Sequence, residues 1–286
     1  MENVEKILKK FDFSVDEKLI NEKSTDYSKV KISVFNDFDI AKRLISFLDL
    51  TTLEGKDTKD TVVRLCEKAK FPLSGRIEIP HCAAVCVYPV FIKTVKENLQ
   101  GSGIKTASVA TGFPSGQYHR EVKLLDVEMC LKDGADEIDM VISRGEFLSG
   151  NYQFVFDEIR MVKSLCKNVH LKAILETGEL GSYENIRKAS FIAMEAGADF
   201  IKTSTGKISP AATLPVTFVM LETIKEYFEM TGKKIGIKPA GGIRTADDAF
   251  AYYSLVYNVL GEEWLNSSLF RIGASSLLDS LVGVLV

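Results

Sequence analysis

Short apolar runs alternate with amphipathic segments along most of the chain. Apolar runs bounded by Gly, Pro or polar residues predict strands, and apolar positions repeating every three or four residues predict helices. We expect eight strands, at Phe47–Leu50, Ala83–Tyr88, Thr106–Ala110, Glu137–Ile142, Val169–Leu175, Phe200–Thr203, Lys234–Pro239 and Phe270–Gly273. The predicted helices between them include Thr58–Ala69, Pro89–Leu99, Glu121–Lys132, Tyr183–Ala196, Pro215–Met230 and Ala246–Leu260.

This alternation indicates an α/β fold. Near-continuous apolar strands that are each followed by a helix are typical of a parallel sheet covered by helices. Eight such units close a (β/α)8 TIM barrel, and 286 residues can hold a barrel of about 250 residues. A doubly wound open sheet is the alternative, although it usually has fewer strands. We predict one barrel domain over residues 38–286.

The first 37 residues follow a different pattern. They are charged, show one short helical patch at Val4–Phe11 and have no strand pattern. We predict an N-terminal helical extension over residues 1–37 that is partly helical or flexible. Either Asp37 or Asp39 could then cap the next helix, whose apolar positions begin at Ile40.

Charge and cysteine content narrow the function classes. There are 36 Lys and Arg against 39 Asp and Glu, so no basic excess points to nucleic acid or an anionic membrane as a partner. No apolar run approaches the ~20 residues that span a bilayer. Five scattered cysteines favour free thiols in a reducing compartment. Because the N-terminus also lacks an apolar signal region, we predict a cytoplasmic location.

Two lysines stand where barrel strands meet their loops. Lys202 lies in Phe200–Thr203, which is too short and apolar to be half solvated, and Lys238 ends the next predicted strand. Neighbouring strands lie about 4.8 Å apart, so we expect these amines to face each other over the barrel mouth. Burial and a nearby cation lower the pKa of a lysine and free its amine to attack a carbonyl. Either lysine alone could instead extend to solvent.

Acidic side chains also occur inside predicted strands. Alternation along Glu137–Ile142 puts Asp139 on the face opposite the apolar side chains. A buried acid needs a cation or donors, and Lys238 is a candidate partner. Asp139 could transfer protons or form only a structural ion pair. Lys172 and Asp49 are further strand-borne charges that could simply pair within the barrel.

Three glycine-containing loops suit an anion. They are Ser204–Lys207 after the Lys202 strand, Gly241–Arg244 opening the helix after the Lys238 strand, and Gly273–Ser276 opening the last helix. Such loops expose backbone N–H groups, and helix N-termini add a positive dipole. The loops after strands 7 and 8 commonly bind phosphate in this architecture. One loop alone could be a turn with a helix cap, but three together predict a phosphate pocket.

Motifs for other chemistry do not emerge. His81, His119 and His170 fit no metal-binding spacing, and no second pair completes a zinc site with Cys82 and Cys86. Neither a dinucleotide fingerprint nor a Walker A motif is present. We therefore predict a lysine-driven reaction, without a metal or cofactor, on a phosphorylated carbonyl compound.

Seven motifs, in order, resemble those of the deoxyribose-phosphate aldolase family. They cover the chain from Asp49 almost to its end: DLTTL (Asp49–Leu53), AAVCVYP (Ala83–Pro89), GADEIDMVI (Gly134–Ile142), ETGEL (Glu176–Leu180), ADFIKTSTGK (Ala198–Lys207), KPAGGIR (Lys238–Arg244) and RIGASSLL (Arg271–Leu278). The resemblance implies a metal-independent enzyme of deoxyribose phosphate and nucleoside catabolism. Its reaction would be the reversible cleavage of 2-deoxy-D-ribose 5-phosphate to acetaldehyde and D-glyceraldehyde 3-phosphate.

The resemblance also implies residue roles. Lys202 matches the lysine that forms the Schiff base, Lys238 the second lysine that lowers its pKa and relays protons, and Asp139 the acid of the proton transfers. Positions matching the substrate-binding residues are Asp49, Thr51, Cys86, Lys172 and Thr205. Positions matching the phosphate loops are Gly206, Lys207, Gly241, Gly242, Arg244, Gly273, Ser275 and Ser276.

Some points depart from the family or stay open. Some members end in a tail whose Tyr assists proton exchange, whereas this sequence ends in Gly283–Val286, so we expect slower exchange or another group in that role. The alternatives are a different Schiff-base phospho-sugar aldolase, transaldolase-like enzymes included, and a low-activity barrel that serves as a partner-binding scaffold. We expect a small phosphorylated sugar as ligand and a homodimer as the assembly.

Overall fold

The computed structural model describes residues 4–30, 36–73, 75–76 and 78–286. Its strands are β1 Leu48–Thr51, β2 Ala84–Val87, β3 Lys105–Ala110, β4 Glu137–Val141, β5 His170–Ile174, β6 Phe200–Lys202, β7 Gly236–Lys238 and β8 Ile272–Ala274. Its α-helices are α1 Val4–Leu8, α2 Glu17–Lys29, α3 Asp37–Ile45, α4 Lys59–Lys70, α5 Ile92–Asn98, α6 Arg120–Lys132, α7 Arg144–Leu148, α8 Tyr152–Cys166, α9 Tyr183–Glu195, α10 Leu214–Thr231, α11 Ala246–Leu260 and α12 Leu277–Val284. Short 3₁₀ turns cover Pro89–Phe91, Thr177–Glu179 and Glu262–Trp264.

The eight strands form one parallel sheet that closes on itself. Their order is β7-β6-β5-β4-β3-β2-β1-β8, so each strand neighbours the next one in the chain and β8 returns beside β1. Parallel bridges from Ile237 to Phe270 and from Ala240 to Gly273 join β7 to β8. The predicted (β/α)8 barrel is thus confirmed, and all eight strands end at the same mouth.

Helix and strand boundaries differ slightly from the predictions. The strands predicted as Lys234–Pro239 and Phe200–Thr203 are each shorter in the structure. Strand β6 pairs with each neighbour over three residues only, and β7 pairs over three residues with β6 but meets β8 only in isolated bridges. The prediction that Asp37 or Asp39 caps the next helix is wrong. The N-cap of α3 is Asn36, whose side-chain oxygen accepts the backbone N–H of Asp39 at 2.8 Å.

The two faces of each strand meet different surroundings. On β4, Ile138 and Met140 join the large apolar core between the strands and the surrounding helices. Glu137 and Asp139 point to the opposite side, into the barrel, where they are fully buried. Alternation therefore separates an apolar shell, which stabilises the fold, from an interior that can hold charge.

The N-terminal extension is more ordered than its sequence indicated. The patch predicted at Val4–Phe11 forms α1, which ends at Leu8, and the whole of α2 was not predicted. Helix α2 packs on α10 and α11, with the ring of Tyr27 6.0 Å from that of Phe218. Residues 1–3 and 31–35 of the predicted extension lie outside the described residues. The domain boundary near residue 37 remains a prediction.

The helix α2 was missed because its apolar face is very narrow. Only Ile20 and Ser24 are buried in its 13 residues, and most of the others are charged or polar. Its start is instead fixed by Asp16, whose side chain accepts the N–H of Leu19.

Among the described residues, no helix is both long and apolar enough to cross a bilayer.

Candidate active site

One carboxylate inside the barrel is shared by three lysines. Asp139 on β4 accepts hydrogen bonds from the Nζ atoms of Lys172 at 2.7 Å, Lys202 at 2.8 Å and Lys238 at 2.7 Å. These lysines come from β5, β6 and β7, and the strand register puts Lys202 directly beside Lys238, as expected. The three amines converge on Asp139 because consecutive strands direct them into the barrel interior, Lys172 level with Asp139. Lys202 and Lys238 lie two residues nearer the mouth.

A second layer of charges is linked to this group from below. The guanidinium of Arg271 donates to Asp49 at 2.5 Å and to Glu137 at 2.9 Å. Lys172 lies 2.6 Å from Glu137, and Lys238 lies 2.5 Å from Asp49. Asp49 and Glu137 thus tie Arg271 to the lysines of the upper layer, and these seven buried side chains form one connected network, which we call the interior charge network.

The network contains more cations than carboxylates. Its cations are Lys172, Lys202, Lys238 and Arg271, and its carboxylates are Asp49, Glu137 and Asp139. If all seven groups were ionised, the dry interior would hold one uncompensated positive charge, which is costly. The network is neutral when one lysine is unprotonated.

Contacts and burial identify Lys202 as that lysine. Burial, aided by the neighbouring Lys238, lowers the pKa of Lys202, although Asp139 acts in the other direction. Burial would also lower the pKa of Lys238, but Asp139 and Asp49 outweigh it, so the pKa of Lys238 is raised. Lys202 has one carboxylate contact, which it shares with two other lysines. The arrangement therefore favours a neutral, nucleophilic amine on Lys202.

Neighbouring carboxylates stay ionised. Burial opposes the charge on Asp139, but Lys172, Lys202 and Lys238 outweigh it and hold its pKa well below the usual range. The same balance lowers the pKa of Asp49, with Lys238 the main attractive partner. Asp139 consequently accepts hydrogen bonds from the three lysine amines, and Asp49 accepts one from the guanidinium of Arg271.

Lys202 forms part of the floor of a cavity of about 400 Å³ at the barrel mouth. The loops after β1, β6, β7 and β8 form its wall. Lys207 and Arg244 add two cations to this wall, and Glu54 adds one carboxylate, which lies 2.7 Å from the amine of Lys207. The cavity thus combines a buried amine with an excess of positive charge.

Glycines let two loops approach each other at this cavity. Gly241 has a φ of 82°, and a Cβ atom there would lie 2.7 Å from the Cβ of Ala211 and 3.0 Å from the Cα of Gly206. A side chain at this position would push the loops apart. The helices α11 and α12 begin close by, after the N-caps Thr245 and Ser276, and direct their N-termini toward this end of the barrel.

The predicted site residues separate into two groups. Those that line the cavity are Lys202, Thr51, Thr205 and all eight predicted phosphate-loop residues. Those that are fully buried behind Lys202 are Asp49, Cys86, Asp139, Lys172 and Lys238. The expected arrangement of loops needs two adjustments: α11 begins two residues after Arg244, and Gly273 lies in β8 rather than in a loop.

Two predicted substrate ligands have other contacts here. The hydroxyl of Thr205 donates to Glu176 at 2.5 Å and accepts the backbone N–H of Lys207 at 3.1 Å. Cys86 packs in a small apolar cluster with Ala84, Ala107 and Val109, and burial raises the pKa of its thiol. Both residues therefore contribute to the structure around the cavity.

Three charged residues of the site were not predicted to act in it. Glu137 and Arg271 complete the interior charge network, and Glu176 binds Thr205 from the neighbouring loop. Each lies within one of the seven motifs, so the available signal was a charged side chain in or beside a buried strand. Their partners could not be read from the motif, because they lie 29 to 222 residues away.

The barrel, the buried amine and the cationic cavity define the class: a (β/α)8-barrel enzyme with a lysine at the floor of its cavity. The family model for DeoC/LacD family aldolases matches residues 43–280. The chain therefore belongs to the DeoC/LacD aldolase family. It is an aldolase, and the family resemblance of the seven motifs is confirmed.

Relatives and solved structures agree with this assignment. The deoxyribose-phosphate aldolases of Homo sapiens and Mus musculus are each 49% identical over 249 residues, covering 84% of this chain and 78% of the relative. The solved structure of the aldolase QR15 has a TM-score of 0.69 at 26% identity, covering 84% of this chain and 96% of that one. The Aeropyrum pernix deoxyribose phosphate aldolase, described as tetrameric, supports the fold with a TM-score of 0.64 at 24% identity, over 94% and 98% of the two chains.

Proposed function

We propose that the protein cleaves 2-deoxy-D-ribose 5-phosphate reversibly to acetaldehyde and D-glyceraldehyde 3-phosphate, through a Schiff base on Lys202. One observation carries this proposal: Lys202 is the amine of the interior charge network that also lines the cavity. The family membership and the deoxyribose-phosphate aldolase relatives support the substrate.

The chemistry begins with the neutral amine of Lys202 attacking the C1 aldehyde of the open-chain sugar. Loss of water gives an iminium ion, which withdraws electrons from the C2–C3 bond. When the C3 hydroxyl loses its proton, this bond breaks, glyceraldehyde 3-phosphate leaves, and the electron pair remains as an enamine on Lys202. Protonation at C2 and hydrolysis then release acetaldehyde and restore the amine.

Lys238 and Asp139 are the proposed proton-transfer groups for these steps. Asp139 accepts hydrogen bonds from Lys202 and Lys238 on the same oxygen, Oδ2. A proton taken from one amine therefore has a short path to the other. The positive charge on Lys238 also disfavours protonation of Lys202.

The phosphate group is proposed to occupy the part of the cavity formed by the three glycine-containing loops. Lys207 and Arg244 supply charge there, and the hydroxyls of Ser275 and Ser276 supply donors. Binding energy from this remote group would orient the aldehyde end of the sugar toward Lys202.

Borohydride trapping tests the assignment of the amine. Incubation with acetaldehyde and borohydride should leave an ethyl group on Lys202, found by peptide mass mapping and absent from Lys202→Ala. Lys123, which is equally buried but has its own carboxylate, should stay unmodified. An adduct on Lys238 alone, or none, would refute the role of Lys202.

Substrate comparison tests the phosphate pocket. A hydrogen bond to a charged group contributes about 1.5–3 kcal/mol, so Arg244→Ala and Ser275→Ala should raise KM for the phosphorylated sugar roughly 10-fold or more. KM for unphosphorylated 2-deoxyribose should change much less, and the exposed control Lys233→Ala should affect neither. Equal effects on both sugars would place the phosphate elsewhere. Faster cleavage of fructose phosphates than of the deoxy sugar would favour another phospho-sugar aldolase.

We also propose a homodimer that forms through the outer face of α6. Tyr118, Val122, Leu125 and Met129 have a 4-3-4 spacing and are 46–60% exposed, which makes an apolar stripe on one face. Helix α6 carries Glu121 in its first turn and a lysine in its last turn. An antiparallel second copy related by a two-fold axis would cover the stripe and pair these opposite charges.

Sedimentation equilibrium tests this assembly. The unmodified protein should have twice the mass of one chain, and the double variant Leu125→Glu, Met129→Glu should have the mass of one chain. The control Met230→Glu changes a similarly exposed residue on α10 and should remain dimeric. A monomeric parent protein, or a dimeric double variant, would contradict the proposal.

A cytoplasmic location is proposed from the cysteines. All five are free thiols and all are buried, as is usual in a reducing compartment. Cell fractionation that recovered the protein mainly from an oxidising compartment would oppose it.

A further inference from the structure

Glu176 is a buried carboxylate outside the interior charge network, at the end of β5. It is 1% exposed, and its backbone has a φ of 55° and a ψ of 59°, the left-handed region that side chains disfavour. Such a conformation costs of the order of 1–3 kcal/mol and persists only where surrounding contacts hold it. The contacts of Glu176 must therefore stabilise this conformation.

Both carboxylate oxygens of Glu176 bind the next loop. Oε1 accepts the backbone N–H of Thr205 at 3.1 Å, and Oε2 accepts the Thr205 hydroxyl at 2.5 Å. The same hydroxyl accepts the backbone N–H of Lys207 at 3.1 Å. A continuous set of hydrogen bonds therefore runs from Glu176 through Thr205 to the cavity residue Lys207.

Arg144 compensates the buried charge of Glu176 and adds a third loop. Its Nη1 lies 3.2 Å from Oε2 of Glu176, and its Nε lies 2.8 Å from the more exposed Glu179. Its two terminal nitrogens also donate to the backbone carbonyls of Pro114 at 3.2 Å and Ser115 at 3.0 Å. The loops after β3, β5 and β6 thus meet at the ion pair of Glu176 with Arg144, the first residue of α7.

Close packing reinforces the junction between the β5 and β6 loops. The backbone N–H of Thr177 donates to the carbonyl of Thr203 at 2.9 Å. A methyl group at Gly178 would collide with the carbonyl oxygen of Pro210. The β6 loop consequently has little freedom to move while Glu176 and its neighbours stay in place.

We propose that Glu176 is a positioning residue, which holds the loop of Thr205, Gly206 and Lys207 in the conformation that binds the phosphate of the substrate. Glu176 acts on this loop through Thr205, and it takes no part in the bond-making and bond-breaking steps at Lys202. The proposal rests on the phosphate pocket of the proposed function.

Paired substrates and matched variants test it. Glu176→Ala should raise KM for 2-deoxyribose 5-phosphate about 10-fold, with kcat and KM for unphosphorylated 2-deoxyribose changed no more than about twofold. Glu176→Gln should lie between, because its one amide oxygen can still accept the N–H of Thr205. The control Glu179→Gln alters the other carboxylate on Arg144 without touching the β6 loop, and both KM values should be unchanged.

A second pair of variants tests the same hydrogen bond even if Glu176→Ala fails to fold. Thr205→Val removes the hydroxyl while leaving Glu176 paired with Arg144, and should raise KM for the phosphorylated sugar selectively. Thr205→Ser keeps the hydroxyl, so its KM for the phosphorylated sugar should equal that of the parent protein. Equal rises in KM for both sugars, or no rise in Glu176→Ala and Thr205→Val, would overturn the positioning role.

Calorimetry with inorganic phosphate separates this proposal from the proposed function. If the parent protein binds phosphate but shows no turnover, the proposed reaction fails, and weaker phosphate binding by Glu176→Ala would still support positioning. If the parent turns over the sugar phosphate and Glu176→Ala equals it in both assays, positioning alone fails. A parent protein that neither binds phosphate nor shows turnover would overturn both.

Discussion

Two buried lysines in this protein have opposite surroundings. Lys123 on α6 lies outside the barrel, where its amine contacts Glu158 at 2.8 Å and the hydroxyl of Ser143 at 2.7 Å. Lys202 lies inside the barrel, where its one carboxylate, Asp139, is shared with two other lysines. Lys123 is thus compensated by a carboxylate of its own, and Lys202 is not.

This difference shows that burial alone does not make a lysine nucleophilic. A buried ammonium with its own carboxylate can remain charged, because the attraction between the two charges offsets the cost of removing the ammonium from water. An ammonium in a network with surplus positive charge is disfavoured and tends to lose its proton. Access to the cavity then lets the neutral amine of Lys202 meet a substrate.

Replacing Lys202 should give the largest effect on activity. In Lys202→Met no amine remains to form the Schiff base, so we expect kcat/KM to fall by at least about 10⁴-fold in a coupled cleavage assay. The network would keep three cations for three carboxylates, so the thermal midpoint should stay the same or rise. Turnover retained by Lys202→Met would show that Lys202 is not the Schiff-base lysine. A strong loss of stability would show that Lys202 is a charged lysine whose ion pairs stabilise the fold.

Replacing Lys172 should give the largest loss of stability. Lys172→Met leaves Glu137 and Asp139 with fewer partners in a dry interior, and removing one member of a buried ion pair costs about 3–5 kcal/mol. Urea unfolding gives the free energy of unfolding of Lys172→Met and of Lys202→Met. We expect a large loss for Lys172→Met, whose cation the carboxylates need, and none for Lys202→Met. Equal changes in the free energy of unfolding for the two variants would contradict the charge count.

Lys123→Met sharpens the comparison from the other side. The substitution leaves Glu158 with only the hydroxyl of Ser143 as a partner. We therefore expect the free energy of unfolding to fall by about 3 kcal/mol, the lower end of the cost of breaking a buried ion pair. Because Lys123 lies outside the interior charge network, kcat/KM per folded molecule should remain within about twofold of the parent. A large fall in kcat/KM at full folding would show that the two groups are coupled.

The pH profile should show the smallest effect. The neutral form of Lys202 is the reactive one, so kcat/KM rises with pH through its pKa, and its lowered pKa keeps the plateau at a lower pH than a free lysine would allow. Lys238→Met removes the repelling cation, which should raise the pKa of Lys202 and move this rise in kcat/KM to higher pH. The control Lys233→Met should leave the profile unchanged. If kcat/KM of Lys238→Met rose at the same pH as in the parent, or at a lower pH, Lys238 would not be what lowers the pKa of Lys202.

Much of this molecule follows from local sequence. Alternation along β4 put Asp139 inside the barrel, and consecutive strands had to put Lys202 beside Lys238, because the fold pairs each strand with the next. The glycine loops also lie around the cavity where the strand order indicated. Local patterns failed at α2, whose few apolar residues gave no readable stripe.

Only the tertiary structure decided how the charges are shared. That Asp139 serves three lysines, that Arg271 reaches Glu137 across 134 residues of chain, and that Glu176 binds Thr205 from another loop all depend on barrel closure. Periodicity tells which face a side chain occupies, since that is set by its immediate neighbours in the chain. The protonation of a buried amine instead depends on every charge within a few ångströms, and those charges come from strands that are distant in sequence.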